Sequence, residues 1–361
     1  MRLFQNSGVY PAYAKQFNLS NPGDLTFTHR KQAYLADRFG APHFLDPILK
    51  GDDTAFFTNG DDPILQSMWA RENGLNPDLP LDQILMAQIE AHRTEVFYNL
   101  DPLRYGSDFV RKLPGCVRYS LAWRAAPSPG ADFSAYDRIV CNFPSILESW
   151  QRLGWRTGYL IPAYDPVMDE YAGNADRPLD VLFIGGYSRH HAQRAKVLES
   201  VASLSSRYRI VYCLDRSRLT RIADSPLGLL PGLSRYRSRS DIRRVTRSPV
   251  FGLQLYRLMS SAKIVLNGAI DMAGEDRGNM RCFEALGCGT LMLSDQGRYP
   301  EGFADGETMM TYRNADEVTE QTTRILNEWD RYKEIAIQGR LMIQDRYSKA
   351  LQWEMFQKII E

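Results

Sequence analysis

Cysteine is scarce in this chain, and its placement excludes two classes of small-domain scaffold. Five thiols, Cys116, Cys141, Cys213, Cys282 and Cys288, form no Cys-x2-Cys pair, so neither a zinc ribbon nor a disulfide framework is indicated, and buried thiols in a reducing compartment are expected. Histidine is equally sparse. His29, His43, His92, His190 and His191 show no metal-ligand spacing. No window reaches 18 apolar residues, and the opening MRLFQNSGVYPAYAKQF lacks the apolar centre of a signal peptide, which makes a cytoplasmic protein the expectation. The Asn18-Leu19-Ser20 sequon then carries no meaning. A dominant charge is missing too: 44 basic against 43 acidic residues leave a net charge of +1, which argues against a nucleic-acid coat. Internal repeats and low-complexity tracts are absent.

What is present is the composition of an ordinary globular protein, 361 residues long with 44% hydrophobic and 24% charged residues, enough for two domains with separate cores. Residues 1–170 hold 16 Lys and Arg against 20 Asp and Glu, and residues 171–361 hold 28 against 23, so the second half is mildly basic and suits an anionic ligand. The first 80 residues give weak periodic signals. Arg2 to Phe4 opens a short strand, Lys31 to Phe39 forms a helix, and the acidic pairs Asp52-Asp53 and Asp61-Asp62 fall in a stretch expected to be solvated loop.

From Leu81 the pattern sharpens. LDQILMAQIEAHR has helical spacing, EVFYNL is strand-like, and the alternation continues through VRYSLAW, FSAYDRIVCN, PSILESWQRLG and TGYLIP. Strands alternating with helices imply a parallel sheet covered by helices, so residues 1–170 are expected to make one α/β domain. Pro162 to Asp180 is the expected linker. A second alternation follows: VLFIGG as strand, the helix from His191, YRIVYCL as strand, VFGLQLYRLMSSA as helix and KIVLNG as strand. RYPEGFADGETMMTY is expected to be irregular, and two helical patterns close the chain.

The stretch GEDRGNMRCFEALGCGTLMLSD, Gly274 to Asp295, packs loop, helix, turn and strand into one short run. Asn279 is the expected N-cap, its side-chain oxygen taking a first-turn N–H, and Gly289 the left-handed residue that ends the helix. An open helix N-terminus preceded by polar loop suits a phosphate. Arg281 and Glu284 share one face of this helix, an arginine for a phosphate and a carboxylate for two vicinal ribose hydroxyls. Gly185-Gly186-Tyr187-Ser188-Arg189 follows the first strand of the second domain, where a glycine lets a backbone approach a pyrophosphate and Ser188 and Arg189 donate to it. Together the two loops indicate a nucleotide diphosphate site. Residues 216–247 hold nine arginines against Asp224 and Asp241, with Tyr236 the one interleaved aromatic. Nucleic-acid binding is poorly served by that pattern, which leaves a solvated connection, phosphate capture, or peripheral contact with an anionic membrane surface on its inner face.

NMRCFEALGCGTLMLSD resembles the Arg-x-Phe-Glu-x-x-x-x-Gly block of glycosyltransferases with two Rossmann-like domains, the B-type fold, most closely the CgeB-like group within the group 1 family. The likeness extends to LYRLMSSAKIVLN before it and YPEGFADGETMMTYRNADEV after it, and is loose over the first domain. It implies an α/β architecture of two Rossmann-like domains with an interdomain cleft. Residues 1–170 would bind the acceptor and residues 171–339 the donor, with 340–361 packing back on the first domain. By this resemblance Glu284 holds the ribose, Arg281 the basic position before it, and Gly185 and Gly186 the diphosphate loop, with Asn279 near the same helix end. In many retaining relatives a glutamate precedes Glu284 by eight residues; Asp276 stands at that place. The implied activity is transfer of a hexosyl-like sugar from a nucleoside diphosphate sugar to a glycan, lipid or protein acceptor, with no metal and no separate cofactor. Should the reaction invert, His29 and Asp24 are the candidate bases in the first domain. A sugar-nucleotide epimerase of the same fold and a non-catalytic nucleotide-binding protein are the alternatives.

Overall fold

Short apolar runs buried on both faces build two all-parallel six-stranded sheets. The computed structural model describes residues 1–361 apart from 22–25, 188–190, 231, 234–235 and 269–273, and the chain divides into unit 1, Met1–Ala163 with Lys349–Glu361, and unit 2, Tyr164–Ser348. Of the stretch 340–361, residues 349–361 therefore belong to unit 1 and residues 340–348 to unit 2.

Unit 1 contains β1 (Leu3–Ser7), β2 (Ala55–Asn59), β3 (Val96–Asn99), β4 (Tyr119–Trp123), β5 (Arg138–Cys141) and β6 (Thr157–Tyr159), in the order β2-β1-β3-β4-β5-β6. Leu3 stands in register with Ala55 on one side and Val96 on the other. The expected solvated loop between Asp52 and Pro63 is in fact the edge strand β2, whose Ala-Phe-Phe-Thr core is too short to show a period. Asp62 is buried, not solvated. It caps the helix Pro63–Glu72 through the Ile64 N–H at 3.0 Å, and its Oδ2 accepts from Arg30 Nη2 at 3.0 Å and Tyr34 at 2.7 Å. The helix Lys349–Ile360 completes this unit. Lys349 Nζ donates to the carbonyls of Ala41 and Phe44 at 2.7 and 2.8 Å, Gln352 Nε2 to those of Pro42 and Ile161 at 2.9 Å each, and the Phe356 ring meets Tyr98.

Unit 2 contains β7 (Leu179–Gly186), β8 (Ile210–Asp215), β9 (Thr246–Arg247), β10 (Ala262–Leu266), β11 (Leu291–Asp295) and β12 (Met310–Tyr312), ordered β12-β11-β10-β7-β8-β9. Val181 of β7 lies between Ile210 and Ile264, and its neighbours Phe183, Val197, Leu198, Leu266 and Leu293 form part of one continuous core. Strand β12 lies within the stretch expected to be irregular, and the linker 162–180 contains a 3-10 turn, Pro166–Met168, and a short helix, Asp169–Ala172. The arginine-rich stretch is partly ordered by apolar contact. Its helix Ser240–Val245 buries Ile242 and Val245 in the core beside β8.

Candidate functional site

The strand order of unit 2 places its first strand, β7, next to its fourth, β10, the arrangement of a doubly wound dinucleotide-binding sheet. Connections leave this pair in opposite directions, which opens a crevice beyond their carboxyl ends. Gly185 and Gly186 end β7, Asn267 follows β10, and Asp295 ends β11. The helix Met280–Gly287 begins beside them. Cys282, Phe283, Ala285 and Leu286 bury its inner face, and its C-terminus closes in a Schellman arrangement, the Gly289 N–H on Leu286 O at 2.9 Å and the Thr290 N–H on Ala285 O at 3.1 Å. Gly289 takes φ +65° there, the left-handed residue expected.

At the other end Asn279 occupies the cap position, yet its side chain makes no cap hydrogen bond. Its Nδ2 donates to Asn267 Oδ1 at 3.3 Å, and Asn267 Nδ2 donates to Ser294 Oγ at 3.1 Å. The amide is spent on tying the ends of β10 and β11 to the helix, which corrects the expected capping bond. The helix N-terminus consequently carries no side-chain cap, as an anion site requires.

Arg281 and Glu284 are brought together as an ion pair, Nη1 on Oε2. The Glu284 side chain is 4% exposed and that of Arg281 19%, so the arginine is the accessible member. Burial raises the Glu284 carboxyl above its ordinary range, Arg281 opposes this, and buried Asp165 adds to it. Asp276 lies apart from this pair. Its side chain is 1% exposed and accepts from Arg298 Nε at 2.6 Å. Arg277 Nε holds Asp295 at 2.7 Å.

Arg194 is the functional candidate that sequence reasoning missed. It lies in the first turn of the helix Ala192–Ser203, and its guanidinium returns over the Phe183 ring at 5.1 Å. Its Nε is buried without a hydrogen-bond partner, and the residue makes no ion pair among the described residues. Burial lowers its pKa, Tyr312 and Asp295 oppose that, and Arg281 adds to it. A Cβ built on Gly185 would stand 2.9 Å from Arg194 Nη2, so the absent side chain at 185 leaves room for this cation at the strand end. The available signal was position: a helix following a strand points its first-turn side chains back toward the strand end.

Other expected residues are placed differently. The Tyr187 hydroxyl donates to Glu199 Oε1 at 2.7 Å, and Ser188, Arg189 and Asp24 lie outside the described residues. His29, expected in a loop, sits exposed in the first turn of the helix Phe27–Asp37 of unit 1. Thr26 nucleates that helix by accepting the His29 N–H at 3.3 Å, which the sequence pattern did not reveal. Among the described residues no group of three His, Cys, Asp or Glu side chains gathers as a metal site, and no helix is long and apolar enough to cross a membrane.

Residues 191–356 match the family model described as glycosyl transferase-like. This stretch, a little under half of the chain, is a glycosyl transferase-like domain. None of the curated proteins matches significantly. Among solved structures, HepE of Anabaena in complex with UDP and glucose superposes with a TM-score of 0.60 at 12% identity, covering 100% of this chain and 99% of its own. A further HepE structure holds UDP-glucose. A Rickettsia africae glycosyltransferase gives a TM-score of 0.52 at 11% identity over 99% of this chain and 97% of its own, and TarM gives 0.53 at 10% identity over 77% and 58%. These likenesses establish the B-type (GT-B) fold for this chain: two six-stranded parallel α/β sheets, matched over the full length.

Proposed function

We propose that this protein is a glycosyltransferase that moves a sugar from a nucleoside diphosphate sugar to an acceptor hydroxyl, with the diphosphate held at the carboxyl edge of β7 and β10. The observation that carries this reading is Arg194, a guanidinium with a buried, unpartnered Nε beside Gly185 at the crevice of a dinucleotide-binding strand order. A half-buried cation without a counter-ion is costly until an anion arrives. The uncapped N-terminus of the helix Met280–Gly287 and Arg281 supply further positive potential on the same side of the sheet. Glu284 is the partner for the ribose hydroxyls, which take over the carboxylate as Arg281 turns to the phosphates. These groups neutralise the charge that grows on the departing diphosphate, a task that needs no metal ion. That HepE structures hold UDP and UDP-glucose supports uridine as the first nucleoside to test.

The test is calorimetric titration with UDP, GDP and dTDP, alongside release of free nucleoside diphosphate from the matching glucose donors. The expected result is binding of one nucleotide, reduced about 10- to 100-fold by Arg194→Ala, as the loss of a charge-assisted contact of roughly 1.5–3 kcal/mol implies. Absence of binding by all three to the wild-type protein would sink the reading.

A further inference from the structure

The connection from β8 to β9, residues 216–247, holds a charge that the rest of the chain does not share. Nine arginines and no lysine stand there against two aspartates, a balance of +7 in a chain of net charge +1, so the remaining residues together carry −6. The polar contacts inside this stretch are spent on closing it. Asp224, its side chain 6% exposed, accepts from Arg216 Nη1 at 3.1 Å, from the Ser238 N–H at 2.8 Å and from the Ser238 hydroxyl at 3.1 Å. One buried carboxylate therefore clasps both ends of the loop. Gly228 lets the turn Pro226–Leu229 close onto the helix Arg218–Asp224, because a Cβ there would overlap Ala223 O. Past the clasp, Ile242 and Val245 root the stretch in the core, and Arg239 Nη1 meets Glu199 at 3.0 Å.

Among its described residues, the clasped loop turns cations and apolar side chains outward together. On the helix Arg218–Asp224 the buried residue is Ala223, while Arg218, Leu219 and Arg221 are exposed. Neither of these two arginines makes an ion pair among the described residues. Leu219 is 51% exposed, Leu230 54% and Tyr236 40%, three of the five large apolar side chains that unit 2 exposes among its described residues. Arg244 and Arg247, on the helix and the outermost strand that end the stretch, are exposed too, and Arg244 comes no closer than 3.9 Å to Asp241. Arginine pairs with phosphate through two parallel N–H bonds, which lysine cannot do. An anionic bilayer draws such a cluster to its headgroups, and neighbouring apolar side chains then enter the acyl boundary. A single nucleic-acid strand asks for aromatic rings between the cations, and Tyr236 is the one aromatic in the stretch.

From this charge complementarity we infer that Arg218, Leu219, Arg221 and Leu230, with Arg244 and Arg247, form a docking surface for an anionic lipid bilayer. Contact is peripheral, since no helix among the described residues is long and apolar enough to cross a membrane. The bilayer attracts this stretch and repels the −6 carried elsewhere, so the attraction also orients the protein. Strand β8 ends in register with Gly185 and Gly186, so the loop leaves the carboxyl edge one strand away from those glycines. Docking and nucleotide binding are therefore neighbours on one edge of unit 2, and the test separates them.

The full chain is sedimented with vesicles of phosphatidylcholine containing about 30% phosphatidylglycerol, and with vesicles of phosphatidylcholine alone, at about 0.1 M salt. Binding is expected to the anionic vesicles only, and should be largely lost at about 1 M salt, where screening shortens the reach of the field. Arg218→Glu combined with Arg221→Glu should weaken binding at least about 25-fold, at about fivefold for each cation removed. Both side chains are exposed, so the unfolding midpoint of this variant should match the wild type. Leu219→Ser with Leu230→Ser should weaken binding about tenfold or more while leaving its salt dependence in place. Equal binding to both kinds of vesicle, or wild-type binding by the doubly charge-reversed variant, overturns the inference. A single-stranded RNA of about 20 nucleotides that binds more tightly than the vesicles and displaces them overturns it in favour of nucleic acid. Release from the vesicles by about 1 mM UDP assigns the arginines to the nucleotide crevice and overturns it as well. None of these readouts depends on transfer activity, so the docking surface stands or falls apart from the transferase reading.

Discussion

Asp61 gives the sharpest expectation at the scale of single residues, because burial of its carboxyl has a thermodynamic consequence. A carboxyl raised from 3.8 to about 6 in the folded chain binds its proton more tightly there than when unfolded, so its penalty is absent below about pH 4 and complete above about pH 6. Asp61→Asn keeps an acceptor for the Val9 N–H, which the carboxylate takes at 2.9 and 3.1 Å, and removes the charge. Urea unfolding should show it more stable than the wild type by about 1–3 kcal/mol at pH 7.5, with the gain vanishing near pH 4. The glycines ending β7 make a second pair of expectations. Gly185→Ala puts a methyl 2.9 Å from Arg194 Nη2 and 3.2 Å from Phe183 Cζ, and should weaken nucleotide binding about tenfold by displacing the guanidinium, as calorimetry would read. Gly186→Ala meets no protein atom within 4 Å and should unfold at the same denaturant concentration as the wild type.

Among the elements, the helix Met280–Gly287 is set by contacts at its end as much as by its apolar face. A Cβ on Gly287 would lie 2.2 Å from Met168 Sδ and 3.1 Å from Tyr164, so Gly287→Ala should cost about 1–3 kcal/mol in chemical denaturation. Gly289→Ala, at φ +65° and 3.0 Å from Ala172 O, should cost about 1–2 kcal/mol for a different reason, the left-handed backbone itself. The sequence made this helix legible because loop, period and terminal glycine agree within a few residues. It made β2 and β12 illegible because each is a short run whose strand character comes from pairing with β1 or β11, contacts remote in sequence. Arg194 was hidden for a related reason: an arginine in an amphipathic helix looks solvated until the fold brings Phe183 and Gly185 against it. Asp61 and Asp62 look alike in sequence, and it is Arg30 and Tyr34, brought from a separate helix, together with the Ile64 N–H, that distinguish Asp62.

At the scale of the whole molecule, the two sheets share parallel strands but differ in order: unit 2 places its first and fourth strands together, and unit 1 its first and third. Each order has one reversal point, and in unit 2 the candidate cation Arg194 stands beside it, beyond β7. The alternating pattern was enough to reveal two α/β folds, whereas strand order depends on crossovers that hydrophobic spacing does not encode. The terminal helix gives a testable consequence at this scale. Removing residues 349–361 strips Lys349, Gln352 and Phe356 from their partners in unit 1, so hydrogen exchange should accelerate at the amides of β1 and β3 well before those of β7 and β10.

Because unit 1 is finished by residues 349–361, the part of the chain synthesised early waits for the part synthesised late. Unit 2, Tyr164–Ser348, has all its strands before that helix emerges and can close first on the ribosome. Until then the carbonyls of Ala41, Phe44 and Pro42 lack the Lys349 and Gln352 donors that satisfy them in the finished fold, and Tyr98 lacks the Phe356 ring. The window in which this protein is most exposed to misassembly is therefore the interval between the synthesis of unit 1's last strand and that of its last helix.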